Sequence, residues 1–105
     1  MNALFEQALH HLPLVAILRG ITPTESVAVA QVLTQEAWQL LEVPLNSPAP
    51  LDSIAFMRQA CPQALVGAGT VLTAQSVRDV HAAGGQLIIA PNFSPAVAAQ
   101  ARALG

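Results

Sequence analysis

Four short stretches carry residue types able to do chemistry, and each closes an apolar run. Leu41 to Pro48 reads LEVPLNSP and sets Glu42 inside what otherwise looks like a buried strand. Arg19 ends the run LVAIL, Thr70 ends VGAGT, and Pro91-Asn92 follow QLIIA. A carboxylate enclosed by apolar strands has a raised pKa, which suits it to giving and taking protons near neutral pH. An arginine offers a fixed cationic fork for a carboxylate or a phosphate, and a nearby threonine hydroxyl adds orientation. The candidate chemistry is proton transfer on a small acidic molecule.

Simpler readings of the same residues stay open. A lone glutamate near a strand end is usually solvated, and Arg19 could form a structural ion pair with Glu42. The glycines of Gly67-Ala68-Gly69 could serve only to reverse the chain tightly. GAGT lacks the spacing of a phosphate-binding loop. Pro91-Asn92 is a common turn dipeptide. His10, His11 and His81 fall on predicted helices away from the other candidates. They form no metal-ligand cluster with carboxylates, so neither metal nor cofactor is called for.

The elements that must position these residues alternate along the chain. The first run spans Leu14 to Leu18 and ends at Arg19-Gly20. Thr22, Pro23 and Glu25 then predict a capped helix to about Gln35. A second run, Gln39 to Val43, precedes a loop through Pro48 and a helix from about Pro50 to Ala60. There Leu51, Ile54, Met57 and Cys61 have helical spacing and core character. The third run is Ala64 to Gly69. Thr73 caps the helix after it, and Gly84-Gly85 stop that helix. The fourth run is Gln86 to Ala90, followed by Ser94-Pro95 as cap and first turn of a helix reaching Gly105.

Strands this apolar read as parallel and covered on both faces. The fold class is therefore α/β, with four βα units. They suit either a small open sheet or the first half of an eight-stranded (β/α)8 TIM barrel, which typically needs about 250 residues. In either, function gathers at the C-terminal ends of the strands, where all four candidate stretches lie.

Composition narrows the setting. The 105 residues are 53% hydrophobic but only 10% charged, against roughly 25% charged in ordinary soluble domains. Such a surface expects covering by oligomer partners or further chain. A net charge of −2 with no basic run argues against nucleic acid. The long uncharged stretches are broken by proline, glycine and glutamine, which argues against a membrane span. No signal peptide is evident, and the single Cys61 excludes an internal disulfide, so a reducing cytoplasm is expected. All four cationic side chains are arginines, and lysine is absent.

ILRGITP, EVPLNSP, VGAGTVL and APN, in this order and spacing, resemble the class I aldolases that cleave 2-keto-3-deoxy-6-phospho sugar acids. The resemblance runs from about Leu12 to Gly105 and covers the first half of that family's barrel. It implies that Glu42 moves protons during formation of an imine and its enamine. It also implies that Arg19 binds the acidic substrate and that Thr70 helps hold the pyruvate carboxylate. Pro91 and Asn92 shape the rim. The ligand implied is a phosphorylated keto-deoxy sugar acid or pyruvate, with glyceraldehyde 3-phosphate as the other product. A homo-oligomer, a trimer by resemblance, is implied too. The arginine in ILRG, and the lack of one after EVPL, favour the galactonate-derived branch over the gluconate-derived one.

The family's Schiff-base lysine has no counterpart among these residues, so the chain by itself is expected to be inactive, a truncated half-barrel. Two alternatives remain beside that reading: a partner chain supplies the lysine, or the half-barrel is a non-catalytic module that binds a small carboxylate. Open strand edges predict self-association.

Overall fold

Each predicted N-cap residue stands at the start of a helix. In the computed structural model, which describes residues 2–105, helix α1 (Ala3–His11) starts where Asn2 Oδ1 accepts the Leu4 N–H at 2.8 Å. Strand β1 (Val15–Ile17) leads to helix α2 (Pro23–Gln35). At the start of α2 the Glu25 carboxylate accepts the Thr22 N–H at 3.1 Å and the Thr22 hydroxyl at 2.8 Å. Strand β2 (Leu40–Pro44) is followed by helix α3 (Pro50–Ala60), and strand β3 (Leu65–Gly69) by helix α4 (Ala74–Ala82). Thr73 Oγ1 accepts the Ser76 N–H at 3.1 Å to cap α4, and Ser94 Oγ accepts the Val97 N–H at 3.4 Å to cap helix α5 (Pro95–Leu104).

The three strands form a parallel sheet in the order β1-β2-β3. Register places Val15, Leu40 and Leu65 in one row, and Ile17, Glu42 and Gly67 two residues further on. Side chains alternate between the faces of a strand, so these two rows share one face. On the opposite face Ala16, Leu41, Val43, Val66 and Ala68 join Ile54, Met57, Val77 and Val80 of the helices in the main core. Ile54, Met57 and Cys61 of the α3 pattern are buried, as their spacing predicts, and Leu51 packs against that core from its margin. Full burial of one such side chain contributes about 1.5–3 kcal/mol. On the other face α1 covers the first row, with Ala8, Phe5 and Leu9 packed on Leu40, Leu65 and Val15. In the second row Ile17 is left 60% exposed.

The fourth unit departs from expectation. Residues 86–90 run beside β3 but form a single isolated parallel bridge, Ala68 to Ile88. Their backbone bonds go to one neighbour: Gln86 N–H to Val66 O at 2.7 Å, Ala68 N–H to Leu87 O at 2.9 Å and Ile89 N–H to Ala68 O at 2.8 Å. Held from one side only, residues 87–90 are half-buried where β3 is buried throughout. The described chain is thus five helices on a three-stranded parallel sheet with an irregular fourth run at its edge. No helix among the described residues is long and apolar enough to cross a membrane.

Candidate functional site

Glu42 is the third residue of β2 and only 4% exposed. It belongs to the face that α1 covers at its lower end, and points beside β3. A Cβ at Gly69 would stand 2.0 Å from Glu42 Oε1, so the carboxyl group lies directly against the β3 backbone. Gly67 allows a similar approach, since a Cβ there would stand 2.0 Å from Leu87 O. The two glycines therefore do not reverse the chain. Both are strand residues, neither has a positive φ, and each leaves room for a neighbour.

The Glu42 Oε2 atom is buried and accepts no hydrogen bond. An ionised carboxylate in that position lacks the solvation it would have in water. Burial pushes the Glu42 carboxyl above its ordinary value of 4.5, and the positive charge of Arg19 pulls it back part of the way. A carboxyl group so balanced is suited to accept a proton and return it. Arg19 acts on Glu42 through its field, and no hydrogen bond closes on Oε2, so the simple ion-pair reading does not describe this atom.

Arg19 is exposed, two residues beyond β1. The loop that carries it is tied to Glu42 itself, because the Leu18 N–H donates to Glu42 O at 2.9 Å. The Ile21 N–H then closes a turn on Leu18 O at 3.2 Å, with Gly20 at φ +81°. Ser47, only 6% exposed, accepts the Gly20 N–H at 3.1 Å. The sequence marked Ser47 only as part of the loop after Glu42. Its burial, invisible in the sequence, is what singles it out.

Thr70 follows Gly69 directly and is half-buried. Its φ is +57°, in the left-handed region, which costs an L-residue roughly 1–2 kcal/mol and is a genuine outlier for a β-branched side chain. Strain of this kind gathers at binding and catalytic sites. The following residue, Val71, donates its N–H to Ile89 O at 3.3 Å, which ties this loop to the fourth run. Arg19, Glu42 and Thr70 thus converge on one end of the sheet. Pro91 and Asn92 lie on an exposed bend beyond Ile89.

His10, His11 and His81 are exposed on α1 and α4. Among the described residues no group of three or more His, Cys, Asp or Glu could hold a metal ion. A cleft of about 410 Å³ lies elsewhere, bounded by Phe5, Val77, His81, Leu87, Ile88 and Leu104. Its lining is mainly apolar and includes none of the three candidate residues.

Residues 5–104 match the family model "KDPG and KHG aldolase". The chain is 44% identical over 86 residues to a Rhizobium meliloti (strain 1021) protein named "Probable 2-dehydro-3-deoxy-6-phosphogalactonate aldolase", covering 81% of this chain and 41% of the relative. It is 42% identical over 95 residues to the 2-dehydro-3-deoxy-6-phosphogalactonate aldolase of Escherichia coli (strain K12), covering 90% of this chain and 46% of the relative. The solved structure "Native KDPGal structure" superposes with a TM-score of 0.86 at 41% identity, over 89% of this chain and 46% of that one. The chain spans somewhat less than half the length of these relatives.

Proposed function

Because the chain belongs to the KDPG and KHG aldolase family, we propose that it is the first half of an eight-stranded barrel, built from four βα units in one domain over residues 1–105. In this reading it bears the proton-handling part of an aldolase site. The substrate is 2-dehydro-3-deoxy-6-phosphogalactonate, and the products are pyruvate and glyceraldehyde 3-phosphate. Identities of 44% and 42% to proteins named for the galactonate-derived substrate support that choice.

The chemistry divides between this chain and residues outside it. A lysine amine condenses with the substrate ketone, releasing water and forming an imine that draws off electrons. The hydroxyl on the carbon two removed from that centre loses its proton, and the bond from that hydroxyl-bearing carbon to the methylene beside the imine breaks. Glyceraldehyde 3-phosphate leaves, and the electron pair of the broken bond passes into the imine to give the enamine of pyruvate. Protonation of the enamine and hydrolysis of the resulting imine release pyruvate and the amine. These 105 residues hold no lysine, so other sequence supplies the amine. Glu42 moves the protons, Arg19 holds the substrate's acidic group, and Thr70 orients the pyruvate carboxylate. The reaction runs on side chains without a cofactor. A cytoplasmic homo-oligomer, a trimer, is the proposed setting; exposed Ile17, Leu72 and Phe93 leave apolar surface for partners.

The observation that carries the reading is Glu42, buried at a strand mouth with an unpartnered oxygen and a raised pKa beside Arg19. Pyruvate titrated into the chain should shift the NMR signals of Arg19, Glu42 and Thr70 with saturation, and Arg19→Ala should abolish the shift. Borohydride added with pyruvate should leave no covalent adduct on a side chain. Absence of any saturable shift, or a trapped side-chain adduct, would overturn the proposal.

A further inference from the structure

A serine outside the acid–base group holds the turn that carries Arg19. The Leu18 to Ile21 turn, closed by the Ile21 N–H on Leu18 O at 3.2 Å, has Gly20 as its third residue at φ +81°. That is the type II pattern, whereas a type I turn sets its third residue near φ −90°. The two types differ by a flip of the central peptide, here the one joining Arg19 to Gly20. The flip reverses the direction of the Gly20 N–H.

In this structure that N–H meets Ser47 Oγ at 3.1 Å. Ser47 is 6% exposed, and its own N–H donates to Pro44 O at 3.0 Å, so the acceptor is held at the end of β2. The other end of the turn is pinned by the Leu18 N–H on Glu42 O at 2.9 Å. Arg19 therefore sits between two hydrogen bonds, both made to β2 or the loop leaving it.

We propose that Ser47 is a positioning residue, whose hydroxyl selects the type II turn by accepting the Gly20 N–H and so presents Arg19 to the end of the sheet where Glu42 lies. The inference rests on the reading of Arg19 and Glu42 as one site. Among the described residues Arg19 is the charged group that acts on the Glu42 carboxyl, and it lowers its pKa. Loss of the turn should therefore register at Glu42 even with no ligand present.

The test is a pH titration of the Glu42 side-chain carboxyl carbon by NMR, on the intact chain and on Arg19→Ala, Ser47→Ala and Ser47→Thr. Arg19→Ala should raise the midpoint. Ser47→Ala should raise it in the same direction, and Ser47→Thr, which keeps the hydroxyl, should return it toward the starting value. The Gly20 amide should exchange with solvent at least tenfold more slowly in the intact chain than in Ser47→Ala. An unchanged midpoint in Ser47→Ala beside a raised one in Arg19→Ala would overturn the proposal, as would an Arg19→Ala midpoint that does not move. Should Ser47→Ala not fold, a Gly20 amide of the intact chain exchanging as fast as an unstructured glycine decides against it. No arm needs a substrate, so failure of pyruvate to bind would sink the aldolase reading and leave the Ser47 result standing.

Discussion

The two faces of the sheet are built on opposite plans. The face toward α2, α3 and α4 is filled by Leu41, Val43, Val66 and smaller apolar residues, all at or near zero exposure. The other face carries, above the row capped by α1, Ile17 at 60% exposure, a buried glutamate and the two glycines of β3. One face uses side-chain volume to hold the fold. The other removes volume, so that a carboxyl group can rest against bare backbone. Core packing and the candidate site are thus separated across the thickness of one strand, because neighbouring residues of β2 point in opposite directions.

Breaking the filled face should have the largest effect. Leu41→Ala is expected to cost about 2–5 kcal/mol of unfolding free energy, while Ile17→Ser on the other face stays within about 0.5 kcal/mol. Urea denaturation measures both, and equal losses would erase the distinction. Gly69→Ala comes next, at about 1–3 kcal/mol, since its new methyl meets the Glu42 carboxyl group. In a Glu42→Ala background most of that loss should vanish. Gly67→Ala should keep its cost there, because its obstacle is the backbone of Leu87.

Thr70→Gly sharpens the contrast in the other direction. Relief of the left-handed conformation at φ +57° should stabilise the chain by about 1 kcal/mol or less. Pyruvate affinity, read by NMR titration, should fall. A destabilised Thr70→Gly would mean that the strain is offset by contacts of the side chain.

The smallest effect is one of pH, and it takes opposite signs at the two acidic groups. Burial raises the Glu42 pKa above 4.5 in the folded chain. The folded state then holds its proton more tightly than the unfolded state, so its contribution is complete below 4.5 and is lost as pH rises through the raised value. Glu42→Gln should abolish this fall. Hydrogen bonds from the Thr22 side chain and backbone lower the exposed Glu25 below 4.5, so its contribution is present above that value and is lost as pH falls. Denaturation midpoints against pH for the chain, Glu42→Gln and Glu25→Gln would read both. A Glu42→Gln curve parallel to that of the unaltered chain would contradict the burial argument.

Much of the scaffold was legible in the sequence. Thr22-Pro23-Glu25, Thr73 and Ser94-Pro95 all cap helices, because capping uses groups within a few residues of one another. The fourth run was less legible. QLIIA has the composition of a strand, yet strand pairing depends on neighbours, and with β3 alone beside it the run forms one bridge. At the site, Glu42, Arg19 and Thr70 stood out by residue type at the ends of apolar runs. The use of Gly69 and Ser47 did not stand out, since a glycine in a strand and a serine in a loop look ordinary until their neighbours are known.

The sequence by itself determined which segments are helical, that the strands are parallel, that the second and third apolar runs are buried, and that no lysine is among the residues present. Those properties follow from local spacing, capping and composition. Tertiary structure alone decided that Glu42 lies against Gly69, that its Oε2 is left without a partner, and that Ser47 reaches back 27 positions to the turn behind Arg19. Such contacts depend on the register between strands and on the path of the loops leaving them. No local pattern encodes either, because register is settled by the packing of both faces at once.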